Sequence, residues 1–439
     1  MRHFALVTLC LLLTASASAQ YKGAQLEINR NNGIYMIGDT IKVWATIFPD
    51  CNDVLEFAVE EHLTEIISSK EMSLTEGRHL IHEEVCTNAA QYVFLLGIPG
   101  GKAGSQNTSI VGALVAPEQC KPGYSAPDDL REFWDKEIAK MRETPLEVRL
   151  NPAPQEKKDQ SDFVCYDVEI SMPEGNPVRG YLVYPADAFE KSLPIVIRTH
   201  SAGVKGKWCR SSVDKTMADA LLGSGAIAFD INAHGMLNGQ PQEYYDDLDA
   251  GELYKYASRE FTSHEDFYFR LMYLRMVRAL DYLVTLPYWD GMRVAVYGES
   301  QGGAQAAALA GIDSRVTAAL LRVPAFIDAG AQLEGRRRTW PPAYSLKAEE
   351  YRNILPYYDG ACLLTMTKAK LFFEAGLVDY TCPAACITAG YNAAGSEDKT
   401  IVYFPYRTHT TGRMDKRFGQ RWKNEIMKPR DQWLDDYLK

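Results

Sequence analysis

Basic residues are in short supply. The 439-residue chain carries 47 Lys+Arg against 57 Asp+Glu, a formal net charge of −10, or −11 once Arg2 is lost with the leader described below. That balance excludes the electrostatic footprint of a protein that binds nucleic acid or an anionic membrane surface. Long apolar runs are missing as well. The most uniform, residues 4–13, falls well short of the ~20 residues that span a bilayer, so no membrane span is expected. A phosphate loop is not formed either: Gly100-Gly101-Lys102 lacks the rest of the Gly-x4-Gly-Lys-Ser/Thr pattern and leads into the strand-like run 110–115, which reads as a hairpin loop. Cys382 and Cys386 make the only tight cysteine pair, and no two further ligands stand at matching spacing, so neither a metal nor another cofactor is expected. Histidine is scarce, with eight in all, and only His409 follows residue 300.

What is present begins with a compartment signal. Arg2, the apolar run 4–13 and Ala17-Ser18-Ala19 form the three parts of a cleavable export leader over residues 1–19, which predicts a secreted or periplasmic protein. Eight of the nine cysteines remain after its removal. Export permits disulfides, although a chain of this length does not need them to fold, and sequence leaves their pairing open. With 46% hydrophobic and 11% aromatic residues the chain can fill large cores.

Residues 20–116 show short alternating runs with turn residues between them, such as Thr40-Ile41-Lys42-Val43-Trp44-Ala45, the pattern of an Ig-like β-sandwich. Residues 117–126, rich in Pro, Gly and Ser, read as a linker. From 127 to 439 apolar strands at 194–198, 226–230 and 293–297 alternate with helical stretches, one of which carries Phe267, Leu271, Leu274, Val277, Leu280 and Val284 on a single stripe. This rhythm predicts an α/β fold, a mostly parallel sheet with helices on both faces. The stretch 325–360, with Arg336-Arg337-Arg338 followed by Trp340-Pro341-Pro342, breaks the rhythm. It reads as an insertion that is either a surface excursion or a lid or subunit contact.

The chemistry is carried by Gly298-Glu299-Ser300-Gln301-Gly302. It follows an apolar strand and precedes a small-residue helix, the context in which glycines permit a sharp turn that lifts a serine hydroxyl above the sheet. A serine needs a base to take its proton and a third group to orient that base. In an α/β-hydrolase these follow in the order Ser, Asp or Glu, His. His409, just past the strand-like run 400–404, is the base, and Asp379, in the turn after the run 369–376, is the acid; Glu374 within that run is the rival. The main-chain N–H groups of Gln301, at the new helix's start, and of Ala202, in the loop after 195–198, are the expected oxyanion donors. His200 reads as a loop-fixing partner and His234 as a positioning or pocket residue.

Together, these segments resemble the acetyl xylan esterase and cephalosporin-C deacetylase family, carbohydrate esterase family seven, over roughly residues 125–439. The likeness rests on Phe133-Trp134, Ser300-Gln301-Gly302-Gly303, Gly376-Leu377-Val378-Asp379 with Cys382-Pro383, Tyr391-Asn392, and Pro405-Tyr406 before His409. It implies an α/β-hydrolase fold, a triad of Ser300, Asp379 and His409, an acetylated carbohydrate as substrate and no cofactor. Three motifs depart from the family pattern. His234-Gly235-Met236 replaces Arg-Gly-Gln, His409-Thr410 replaces His-Glu, and His200-Ser201-Ala202 replaces His-Gly-Tyr, which removes a ring from the acyl site. Two other readings stay open: a general carboxylesterase or serine peptidase using the same triad, and a glycan-binding protein on a worn hydrolase scaffold. Assembly into an oligomer stays open too.

Overall fold

The computed structural model describes residues 23–49, 51, 54–101, 107–153, 162–173, 176–411 and 414–439. The leader expected over residues 1–19 lies outside them, as does the centre of the glycine-rich loop after residue 101.

The N-terminal strands form two sheets, one of three strands and one of five. Alternation decides which side chains meet between them. In Thr40–Ile47 the inward positions are Ile41, Val43, Ala45 and Ile47, and the intervening residues are only half-buried. Ala90–Gly97 departs from this pattern because it is buried at every position. One face, Tyr92, Phe94 and Leu96, lies in the sandwich core. The other, Val93 and Leu95, packs with Ala58, Leu63 and Val378. A strand covered on both faces loses the polar half of its alternation, and the run Gln-Tyr-Val-Phe-Leu-Leu is the consequence.

The rest of the chain builds a nine-stranded sheet. From one edge it runs Lys399–Phe404, Lys370–Gly376, Ala318–Arg322, Trp289–Glu299, Leu193–Arg198 and Ile227–Ile231, all parallel, then Val178–Pro185, Phe163–Ile170 and Val148–Pro152, all antiparallel. Helices cover both faces. The helix Tyr268–Leu283 is buried nearly all round, with Phe269, Met272, Tyr273 and Met276 inside beside the expected stripe. Its buried arginines keep polar partners: Arg270 pairs with the Glu137 carboxylate, and Arg278 donates to the carbonyls of Thr144, Pro145 and Ser171. The helix Gln301–Ile312 is buried at all of its positions, and its small side chains let it lie close against the sheet.

Two stretches outside the regular rhythm pack against the core. The stretch 325–360 is no surface excursion: Phe326, Ile327, Tyr344, Leu355 and Tyr358 are buried in the main core. Arg336 and Arg337 turn inward, Arg336 to the Asp328 carboxylate at 2.7 Å and Arg337 to the carbonyls of Tyr380 and Leu63 at 2.8 and 2.9 Å. The stretch 117–126, read as a linker, is docked against the larger unit. Cys120 and Tyr124 are buried, Gly123 N–H donates to Asp328 at 2.7 Å, and Asn392 donates to the carbonyls of Pro117 and Cys120 at 2.8 and 2.9 Å. Among the described residues no helix is long and apolar enough to cross a membrane, and Cys86, Cys120, Cys165, Cys209, Cys362, Cys382 and Cys386 are free thiols.

Candidate active site

Ser300 stands between the central strand Trp289–Glu299 and the helix Gln301–Ile312, with backbone angles φ 58° and ψ −121°. A non-glycine residue rarely adopts a positive φ, and here it is held by the packing around it. A Cβ on Gly298 would fall 2.0 Å from the Thr199 hydroxyl, and one on Gly302 would fall 2.9 Å from the His200 main-chain nitrogen. Only glycine lets the turn approach the neighbouring strand end so closely. The Thr199 hydroxyl lies 2.9 and 2.7 Å from the carbonyl oxygens of Tyr297 and Gly302, with one proton to share between the two ends of the turn.

His409 and Asp379 meet this serine. Nε2 of His409 lies 2.9 Å from Ser300 Oγ, and Nδ1 lies 2.8 Å from Asp379 Oδ2. The other carboxylate oxygen of Asp379 accepts from the main-chain N–H groups of Thr381 and Cys382 at 2.8 and 2.9 Å, so the carboxylate has one oxygen for its own turn and one for the imidazole. Asp379 is fully buried, while the His409 side chain keeps 21% exposure, enough to meet a molecule arriving from solvent. The rival, Glu374, is elsewhere occupied: Arg407 holds one of its oxygens at 3.1 Å and Arg430 the other at 2.6 Å. Burial alone would raise this carboxyl's pKa, but Arg407, Arg430 and Arg322 together pull it down to about 2.

Gln301 opens a helix, where first-turn N–H groups have no intrahelical acceptor. Ala202 belongs to a loop fastened to the nucleophile turn by the Ser201 hydroxyl, which donates to the Glu299 carbonyl at 3.1 Å. His200 bonds through Nε2 to the Asp230 carboxylate and through Nδ1 to the Trp208 carbonyl at 3.3 Å, so both of its ring nitrogens are engaged in holding the loop. His234 is buried, with Nε2 at 3.1 Å from the Gly203 carbonyl and Nδ1 at 2.7 Å from the Tyr268 hydroxyl. Neither histidine is free to serve as a base at Ser300.

Three supporting residues carry no signal in the sequence. Tyr256 accepts from Gly203 N–H at 3.1 Å and donates to Gln301 Oε1 at 2.6 Å, joining the Ala202 loop to the helix that follows Ser300. Arg407 donates to the His409 carbonyl at 2.7 Å and to Glu299 Oε1 at 3.2 Å. Trp208 donates its indole N–H to the Ala202 carbonyl at 3.0 Å while its side chain stays 64% exposed. Among the described residues, no cluster of three or more His, Cys, Asp or Glu is arranged to hold a metal ion.

Residues 116–332 match the acetyl xylan esterase family model, just under half of the chain. An acetyl esterase of Xylanibacter ruminicola, Axe7A, is 28% identical over 302 residues, which are 67% of this chain and 66% of that relative, so the match spans slightly less than two thirds of the relative's length. Among solved structures, an acetyl xylan esterase from Paenibacillus sp. R4 superposes with a TM-score of 0.55 at 23% identity, covering 71% of this chain and 98% of its own. Acetyl xylan esterase 1 from Thermoanaerobacterium sp. JW/SL YS485 gives 0.54 at 21% identity, covering 74% and 98%. These two likenesses establish an α/β-hydrolase fold for the larger part of the chain.

Proposed function

We propose, from the match of residues 116–332 to the acetyl xylan esterase family model, that the protein is an exported serine esterase that removes acetyl groups from acetylated xylan, xylo-oligosaccharides or similar carbohydrates. The observation that carries this reading is the unbroken relay from Ser300 Oγ to His409 at 2.9 Å and on to Asp379 at 2.8 Å. Ser300 attacks the acetyl carbonyl as His409 takes its proton, and Asp379 holds the imidazole in the tautomer that can accept it. The tetrahedral oxyanion is met by the N–H groups of Gln301 and Ala202. Collapse expels the sugar oxygen, which His409 protonates, and leaves an acetyl group on Ser300. Water, deprotonated by His409, then releases acetate and restores the serine.

The preference for a carbohydrate alcohol is supported by the match to the acetyl xylan esterase family model and by the exposed indole of Trp208 beside the Ala202 loop. An open aromatic face suits the C–H face of a pyranose. The test is a side-by-side assay of acetylated xylo-oligosaccharides, p-nitrophenyl acetate and short peptide amides. Turnover of both acetates without amide cleavage is expected. Cleavage of amides alone would overturn the assignment in favour of a peptidase.

A further inference from the structure

The turn that carries Asp379 is gripped by the N-terminal sandwich. Gln91, in the sandwich strand Ala90–Gly97, is 1% exposed and reaches across to the larger unit. Its Nε2 donates to the Leu377 carbonyl at 2.9 Å, and its Oε1 accepts from Ala385 N–H at 3.0 Å. Those two groups lie on either side of Asp379. Ala385 is the second residue of the helix Ala384–Ala393, so its N–H is one of the donors that a helix cannot satisfy itself. Gln91 therefore caps that helix from another part of the fold.

The neighbouring contacts repeat the pattern. Val378 packs with Ala58, Leu63, Val93 and Leu95 of the sandwich. The Tyr380 hydroxyl donates to the Glu60 carboxylate. Gly112 donates its N–H to the Pro405 carbonyl at 2.9 Å, on the segment leading to His409, and a Cβ on Gly112 would fall 2.4 Å from the Leu377 carbonyl oxygen. Leu377, Val378 and Tyr380 are all held by the sandwich, which leaves Asp379 free to face His409.

We infer that the face of the sandwich that meets residues 377–385 clamps the turn bearing Asp379, and that Gln91 is a positioning residue for the Asp379–His409 pair. This inference deepens the esterase reading and rests on it for its kinetic consequence, while its structural consequence stands alone. A carboxylate displaced by a fraction of an ångström loses its alignment with Nδ1, and the imidazole loses the tautomer and orientation that catalysis needs. Leucine at position 91 fills nearly the same volume and can make neither bond.

The experiment uses the full-length chain and compares wild type, Gln91→Leu and Ile41→Ala. The last removes buried apolar volume from the sandwich strand Thr40–Ile47, on the three-stranded sheet, without touching the turn. Two quantities are read under conditions in which each protein is folded: the downfield proton resonance of His409 Nδ1–H, and kcat and KM for p-nitrophenyl acetate. Gln91→Leu should lose or broaden the resonance and lower kcat by about tenfold or more with KM little changed, whereas Ile41→Ala keeps both. Retention of resonance and kcat in Gln91→Leu, or an equal loss in Ile41→Ala, would overturn the inference. Should Gln91→Leu not fold, hydrogen exchange of the unmodified protein decides. Ala385 N–H should exchange as slowly as the core amides of Ala90–Gly97, and rapid exchange refutes the clamp. A wild type that turns over no ester would defeat the proposed function, yet the resonance and the exchange rate would still decide the role of Gln91.

Discussion

His234 illustrates how a single buried ring sets the conditions under which the site survives. Burial foremost, with Arg275 nearby, lowers its pKa from the ordinary 6.5 to about 3. As pH falls below 6.5 the unfolded chain therefore takes up a proton that the folded chain refuses, and the native state loses stability progressively between about pH 6.5 and pH 3. Between pH 7 and pH 5 this one group should cost about 2 kcal/mol. Urea unfolding at those two pH values checks it: His234→Gln, which keeps a side-chain N–H for the Gly203 carbonyl but does not titrate, should lose less stability on acidification than wild type. An identical loss would show that His234 is not the responsible group. At this scale the sequence was legible where chemistry restricts the choice. Ser300 was marked by its glycines, and His409 was the only histidine left downstream. Gln91 and Tyr256 were not legible, because an amide and a phenol carry no mark of their partners, and Gln91 stands 286 residues from Leu377.

Between elements, the buried guanidinium of Arg407 ties together the ends that bear the three reacting side chains. It binds Glu299, which precedes Ser300; Glu374, in the strand that leads to Asp379; and the carbonyl of His409 itself. Arg407→Met would leave Glu374 buried with Arg430 as its main counter-charge, and removing one member of such a group costs about 3 kcal/mol or more. The expected result is a lower unfolding midpoint together with a kcat reduced about tenfold or more, measured by calorimetry and ester hydrolysis on the same preparation. A variant with wild-type stability would contradict the network. The strands that converge here were readable as short apolar runs between turn residues. The stretch 325–360, which sequence left as either a surface excursion or a lid or subunit contact, is packed into the main core, and two of its three consecutive arginines bond the buried Asp328 carboxylate and the carbonyls of Tyr380 and Leu63.

At the scale of the molecule, the two units share their interiors. Phe404, Tyr406, Met414 and Phe418, from the far end of the chain, lie in the core of the sandwich. Aromatic residues in a C-terminal segment do not announce which core they enter, and so sequence pattern divides the chain more cleanly than packing does. The central claim is that Ser300, His409 and Asp379, drawn from three separated segments, act as one nucleophilic unit. The most direct measurement is the rate and position of covalent labelling by a fluorophosphonate, followed by peptide mass spectrometry, in wild type, His409→Ala and Asp379→Asn. The account predicts a single adduct on Ser300 that forms rapidly in wild type and is slowed on the order of 10³–10⁴-fold in both variants. Folded wild-type protein that takes no label on Ser300, or that labels equally fast without His409, would contradict it.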